Sequence, residues 1–122
     1  MTTAPLLLLV EDDPAVLASL RFSLELEGFE VEAFDSGETV MAQPSLAEPA
    51  CLVIDYRLPG MDGLSLLQAL RQGGKTCPAV IITSNPTRRV RQRTSDAGAV
   101  LIEKPLLSDG LTAAIHRLIG TT

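Results

Sequence analysis

The stretch Cys51-Leu52-Val53-Ile54-Asp55 runs directly into Tyr56-Arg57-Leu58-Pro59-Gly60-Met61-Asp62-Gly63. A short apolar run bounded by turn residues reads as a buried strand. The strand ends in a carboxylate, which places Asp55 at the C-terminal edge of a sheet. In open α/β sheets that edge is where ligands bind.

Upstream, Leu6–Val10 is a second continuous apolar run, as expected of a strand buried on both faces. It stops at Glu11-Asp12-Asp13, and Asp13 before Pro14 is a helix start, a cap followed by proline in the first turn. That helix carries Val16, Leu17, Leu20 and Leu24 on one stripe and ends at Gly28. Phe29–Phe34 alternates apolar and acidic residues, a half-buried strand near a sheet edge. Ser36 caps a short helix with Val40 and Met41, and Pro44 and Pro49 bracket a loop.

Downstream, Gly63 precedes a helix with Leu64, Leu67 and Leu70 that ends at Gly73-Gly74. Pro78 starts a fourth strand, Ala79–Thr83, apolar until its last residue. Asn85-Pro86 is a turn signal. An arginine-rich helix runs to about Ala97 and stops at Gly98, with Val90 and Ala97 as its chief core anchors. Few anchors predict a marginal, mobile helix. Val100–Glu103 is a fifth strand, followed by Lys104-Pro105. Ser108 or Asp109 caps a last helix with Leu111, Ile115, Leu118 and Ile119 inward. Strands alternating with amphipathic helices imply a parallel sheet covered on both faces. Right-handed crossovers then favour a flavodoxin-like (βα)5 doubly wound fold, strand order 2-1-3-4-5.

Composition agrees. With 122 residues, 46% of them apolar and 20% charged, the chain reads as one domain, 1–122, with a core that needs no disulfide or structural metal. Cys51 and Cys77 lack metal-ligand spacing and read as reduced thiols. No apolar run is long enough to cross a membrane, and Met1–Pro5 does not begin like a secretory signal, so a cytoplasmic location is expected. The net charge of −5 is unevenly placed. Residues 1–61 hold eleven acids against Arg21 and Arg57, a net of −9, while residues 62–122 carry a net of +4. Overall acidity and the lack of a recognition motif argue against direct nucleic-acid binding.

Parallel strands bring their C-terminal ends to one rim. Glu11 and Asp12 follow the first strand, Asp55 ends the third, Thr83 the fourth, and Lys104 follows the fifth. Singly, each has an ordinary use: a turn aspartate, a solvated lysine, a threonine satisfying local backbone. Together they are a constellation. Crowded carboxylates repel unless something neutralises them. A hard divalent cation does so, and magnesium takes oxygen ligands while keeping several waters, so Glu11, Asp12 and Asp55 form a candidate magnesium site. A phosphoryl group arriving at Asp55 would complete the ligand set. Lys104 can pair with one phosphoryl oxygen and Thr83 can donate to another, while Asp55 attacks as a nucleophile.

Four pieces, Val10-Glu11-Asp12-Asp13, Asp55 to Gly63, Ile82-Thr83-Ser84 and Glu103-Lys104-Pro105, occur in the order that resembles the receiver domain of two-component response regulators. The resemblance covers essentially the whole chain and is closest to the FixJ-type subfamily. It implies Mg-dependent transfer of a phosphoryl group from phosphohistidine, on a sensor kinase or phosphotransfer protein, to Asp55. It also implies that Asp12 and Asp55 hold the metal, Glu11 reaches it through water, and the Arg57 backbone carbonyl is a further ligand. Thr83 and Lys104 would contact the phosphoryl group, Lys104–Pro105 would be cis, and Arg57 and Asn85 would tune phosphoryl lifetime. Such a domain catalyses only its own phosphorylation and dephosphorylation. With no effector segment after the last helix, a phosphorelay role or docking of a protein partner on the helix-four and strand-five face is expected.

Three departures from the family stand out. Glu11 replaces the commoner aspartate. Leu101 stands where the family has Tyr or Phe, a ring that changes orientation on activation. The stretch from Gly98 to Lys104 is one residue shorter than usual. The last two bear on the usual coupling between the site and the helix-four surface. They leave a second reading, a degenerate receiver that docks a partner without phosphate. An aspartyl phosphatase would need an acid two residues after the nucleophile, where this chain has Arg57. The arginines of the fourth helix fit either an acidic partner or a plain solvated face. His116 lies on the last helix, away from the rim.

Overall fold

The computed structural model describes residues 4–106 and 110–120. Five strands and five helices alternate: β1 (Leu6–Val10), α1 (Pro14–Leu26), β2 (Glu30–Phe34), α2 (Gly37–Met41), β3 (Cys51–Asp55), α3 (Gly63–Gln72), β4 (Ala79–Thr83), α4 (Arg88–Asp96), β5 (Val100–Glu103) and α5 (Gly110–Ile119). The sheet is parallel throughout, in the order β2-β1-β3-β4-β5. This is the expected doubly wound topology.

Alternation along each inner strand decides which helix lies on which face. Leu7, Leu9, Cys51, Val53, Val80 and Ile82 pack with Leu24 of α1 and with Leu111 and Ile115 of α5. Leu8, Val10, Leu52, Ile54 and Ile81 pack on the other face with Val40, Leu66, Leu67 and Val90, from α2, α3 and α4. Both cysteines are free and buried. Every residue of β3 and β4 is buried, whereas the two edge strands are only partly covered.

Helix starts follow their caps. Asp13 Oδ1 accepts from Ala15 N at 2.9 Å and Val16 N at 3.3 Å, with Pro14 in the first turn. Ser36 Oγ accepts from Thr39 N at 3.1 Å, and Thr87 Oγ1 from Val90 N at 3.1 Å. The expected cap at Ser108 or Asp109 lies outside the described residues. Gly28, at φ 96°, turns the chain out of α1 in the left-handed conformation that glycine adopts freely.

Two local expectations need correction. The second strand begins at Glu30 rather than Phe29, because the Phe29 N–H donates to Leu24 O at 3.2 Å and so closes α1 instead of joining the sheet. On α4, Ala97 is exposed, since it is the C-cap, beyond the last helical turn. The second buried residue is Thr94, one turn from Val90, and its hydroxyl donates to Val90 O at 2.7 Å.

Candidate functional site

The register of the sheet assembles the rim. Val10 pairs with Ile54, Asp55 with Ile82, and Thr83 with Glu103, so the residues at and just after the strand ends are neighbours. Backbone bonds hold them there: Glu11 N donates to Phe34 O at 3.0 Å, Tyr56 N to Ile82 O at 2.8 Å, and Lys104 N to Thr83 O at 2.8 Å. The Lys104–Pro105 peptide is cis, as the family resemblance predicts.

Asp55 is 3% exposed and Glu11 2%, while Asp12 is open to solvent. Asp55 Oδ1 accepts from Arg57 N at 3.0 Å, and Oδ2 accepts from the Lys104 ammonium at 2.8 Å. The same ammonium lies 3.7 Å from Glu11 Oε2, an ion-pair distance too long for a hydrogen bond. Glu11 Oε1 accepts from Asp13 N at 3.3 Å, but Glu11 Oε2 is buried with no hydrogen-bond partner among the described residues. Burial first, and then the neighbouring Asp55 carboxylate, push Glu11 well above the usual carboxylate range, against the opposing pull of Lys104. Burial acts to lower the Lys104 pKa, but the hydrogen bond and charge of Asp55, with Glu11 and Asp12, outweigh it and raise the pKa.

One carboxylate oxygen from each of Glu11, Asp12 and Asp55 lies within 4.8 Å of the others. A buried, unpartnered Glu11 oxygen beside two more carboxylates is a donor set short of positive charge. Lys104 supplies one unit on one side only. All-oxygen donors suit a hard divalent cation, so these residues fit magnesium. Thr83 is 2% exposed and ends the neighbouring strand. Its hydroxyl donates to Ser84 O at 3.4 Å, a weak bond that leaves it ready for another acceptor. Thr83, Arg57 and Asn85 line a cavity of about 370 Å³ beside the site, and Asn85 holds a left-handed φ of 44°. The structure thus gathers Glu11, Asp12, Asp55 and Lys104 into direct reach of one another, with Thr83 and Arg57 adjacent.

Gly63 sets how closely α3 approaches Asp55. Its N–H donates to Tyr56 O at 2.8 Å. A Cβ there would stand 2.4 Å from the Asp55 carbonyl oxygen and 2.9 Å from Ile54 Cγ2. Backbone on one side and buried strand on the other leave no room to yield. Gly63→Ala is therefore expected to cost about 1–3 kcal/mol, the range of an overpacked core, read as a lower urea midpoint at unchanged m. A midpoint equal to wild type would mean that α3 is free to lift away.

The profile of the response regulator receiver domain matches residues 7–116. The chain belongs to this family. As a receiver domain of two-component signalling, it is 36% identical over 121 residues to the transcriptional regulatory protein FixJ of Bradyrhizobium diazoefficiens, covering 98% of this chain and 58% of FixJ. It is 34% identical over 117 residues to the response regulator MprA of Mycobacterium leprae, covering 95% of this chain and 51% of MprA. The chain thus spans little more than half the length of these curated relatives. Among solved structures, a CheY-like receiver domain from Methanospirillum hungatei superposes with a TM-score of 0.88 at 26% identity, covering 96% of this chain and 94% of that one. Full-length FixJ from B. japonicum superposes with a TM-score of 0.85 at 35% identity, covering 98% of this chain and 59% of that one.

Within this receiver, Leu101 pairs with Ile81 in the sheet and is a half-buried member of the core beneath α3 and α4. His116 stacks obliquely on Phe29, ring centroids 5.0 Å apart, on the α5 side of the molecule. Among the described residues no helix is long and apolar enough to cross a membrane. Sequence reasoning missed a contact next to Asp55, where Arg93 on α4 reaches Tyr56 and Asp62. Only the tertiary fold brings those residues together, and no local pattern announces the pairing.

Proposed function

We propose that residues 1–122 act as a phospho-acceptor receiver domain in a two-component or phosphorelay system, with Asp55 taking a phosphoryl group from phosphohistidine on a sensor kinase or phosphotransfer protein. The observation that carries this reading is the Asp55 carboxylate itself: nearly buried, at a strand end, 2.8 Å from Lys104 and beside a Glu11 oxygen with no partner. An Asp55 oxygen attacks phosphorus, the P–N bond breaks, and the imidazole leaves with the electron pair. The Lys104 ammonium meets charge on the transferring group, and the Thr83 hydroxyl turns from Ser84 O to donate to a phosphoryl oxygen. Asp12, Asp55 and the Arg57 carbonyl would hold magnesium, with Glu11 reaching it through water. When bound, the metal neutralises the carboxylates and one phosphoryl oxygen. Hydrolysis of the acyl phosphate returns Asp55, so the chain catalyses only its own phosphorylation and dephosphorylation. Its partners are then a cytoplasmic phosphodonor protein and a protein docked on the α4 and β5 face.

Incubation with acetyl phosphate is expected to give a single phosphoryl adduct by intact-mass spectrometry, in the presence of magnesium and not with EDTA. Magnesium alone is expected to raise the melting temperature, since at a hundred times Kd binding contributes about 2.7 kcal/mol. No adduct from a folded, magnesium-binding protein, or from its kinase, would favour the second reading, a phosphate-independent docking module. Leu101, a core leucine in place of the family's ring, is the feature that favours it.

A further inference from the structure

The loop that follows the acceptor, from Tyr56 to Asp62, is pinned at both ends. Tyr56 N donates to Ile82 O and Tyr56 O accepts from Gly63 N, each at 2.8 Å. At the far end, Asp62 caps α3 by accepting from Ser65 N at 2.7 Å. Arg93 of α4 reaches across to both ends: its Nη1 lies 3.4 Å from the Tyr56 hydroxyl and 3.4 Å from Asp62 Oδ2. Among the described residues no other hydrogen bond or ion pair joins α4 to this loop. Burial alone would raise the Asp62 pKa, yet the Ser65 bonds and the Arg93 guanidinium outweigh it and bring it below the usual range.

The remaining anchorage of α4 is slight. Only Val90 and Thr94 are buried, and Arg91 pairs with Glu103 on the β5 side. Between α4 and the acceptor lies the cavity lined by Tyr56, Arg57, Thr83, Arg89 and Arg93. Among the described residues neither Arg57 nor Arg89 has a carboxylate partner.

We propose that Arg93 is a positioning residue that couples the acceptor loop to α4. The coupling rests on the phospho-acceptor reading of Asp55. Phosphorylation alters the carboxylate that accepts from Arg57 N, inside the same loop. It also replaces one negative charge with about two beside an arginine-lined cavity, where they compete with Asp62 for the guanidinium. Whatever the loop does, Arg93 passes to a helix with little else to hold it. A route through Arg93 needs no aromatic ring at position 101.

The test uses magnesium and beryllofluoride, a tetrahedral phosphoryl mimic, with hydrogen exchange read across residues 88–96. In wild type the mimic is expected to change α4 exchange about two- to fivefold, the size of a half-exposed ion pair. In Arg93→Gln that change is expected to vanish. Asp62→Asn keeps the cap oxygen for Ser65 but replaces the charged oxygen that faces Arg93 with an amide nitrogen, and it should behave the same way. The double variant should add nothing further, as for two partners of one interaction. A purely structural contact would shift the exchange of the free protein and leave the mimic-induced difference intact, and that result overturns the coupling. Wild type that fails to bind the mimic overturns the phospho-acceptor reading and the coupling with it. Binding without dependence on Arg93 overturns the coupling alone.

Discussion

Asp55→Asn is expected to lose the phosphoryl adduct completely while keeping the fold. Asparagine has the same shape, and its carbonyl can still accept from Arg57 N, which meets Asp55 Oδ1 at 3.0 Å. It cannot act as the nucleophile. The substitution also removes the negative charge that, after burial, raises Glu11. That second effect gives an independent readout. A carboxyl whose pKa is raised by folding stabilises the protein fully below its unfolded value, and the contribution fades as pH rises through the folded one. Metal-free wild type should therefore lose stability as pH climbs above the ordinary carboxylate range. In Asp55→Asn the loss should be smaller, because Glu11 then titrates closer to its usual value. Urea midpoints across pH test this, and intact mass tests the adduct. An adduct of undiminished yield on the variant would move the acceptor to another residue and sink the assignment.

The topology was legible because its signals are local. Continuous apolar runs at Leu6–Val10 and Ala79–Ile82, and caps at Asp13 and Ser36, act within a few residues of where they are written. The rim was legible for a further reason: in a parallel sheet, residues at successive strand ends must converge, so Glu11, Asp55, Thr83 and Lys104 could be placed together without knowing any distance. The misreadings concern details set by tertiary context. Ala97 has the right spacing from Val90, yet it stands beyond the last turn of α4, and the polar Thr94 is buried instead because its hydroxyl bonds back to the helix. Arg93 reads as one of a run of solvated arginines. Its link to Tyr56 and Asp62, more than thirty residues earlier, depends on how α4 leans against the β3–α3 loop.

Lys104→Ala is expected to separate metal binding from phosphoryl transfer. The ammonium sits 2.8 Å from Asp55 and 3.7 Å from Glu11, whose side chains are 4% and 3% exposed. Removing it leaves two buried carboxylates face to face. Breaking a fully buried ion pair costs about 3–5 kcal/mol. The loss here should be well below that, because the Lys104 side chain is itself 28% exposed and Glu11 can take up a proton. With a competing cation gone, the carboxylates should bind magnesium at least as tightly as in wild type. Transfer, in contrast, loses a donor aimed at developing charge, and the rate of adduct formation from acetyl phosphate should fall by about 100-fold or more. Lys104→Arg should recover part of the rate, since a guanidinium restores charge without the compact ammonium geometry. The wild-type rate should not be limited by loss of the lysine proton near neutrality, because the carboxylates hold the Lys104 pKa above its ordinary value. Magnesium titration and an intact-mass time course measure the two arms separately. Wild-type transfer in Lys104→Ala would show that Asp55 and its metal suffice without the ammonium, while loss of both activities together would make Lys104 a structural counter-ion of the acidic cluster.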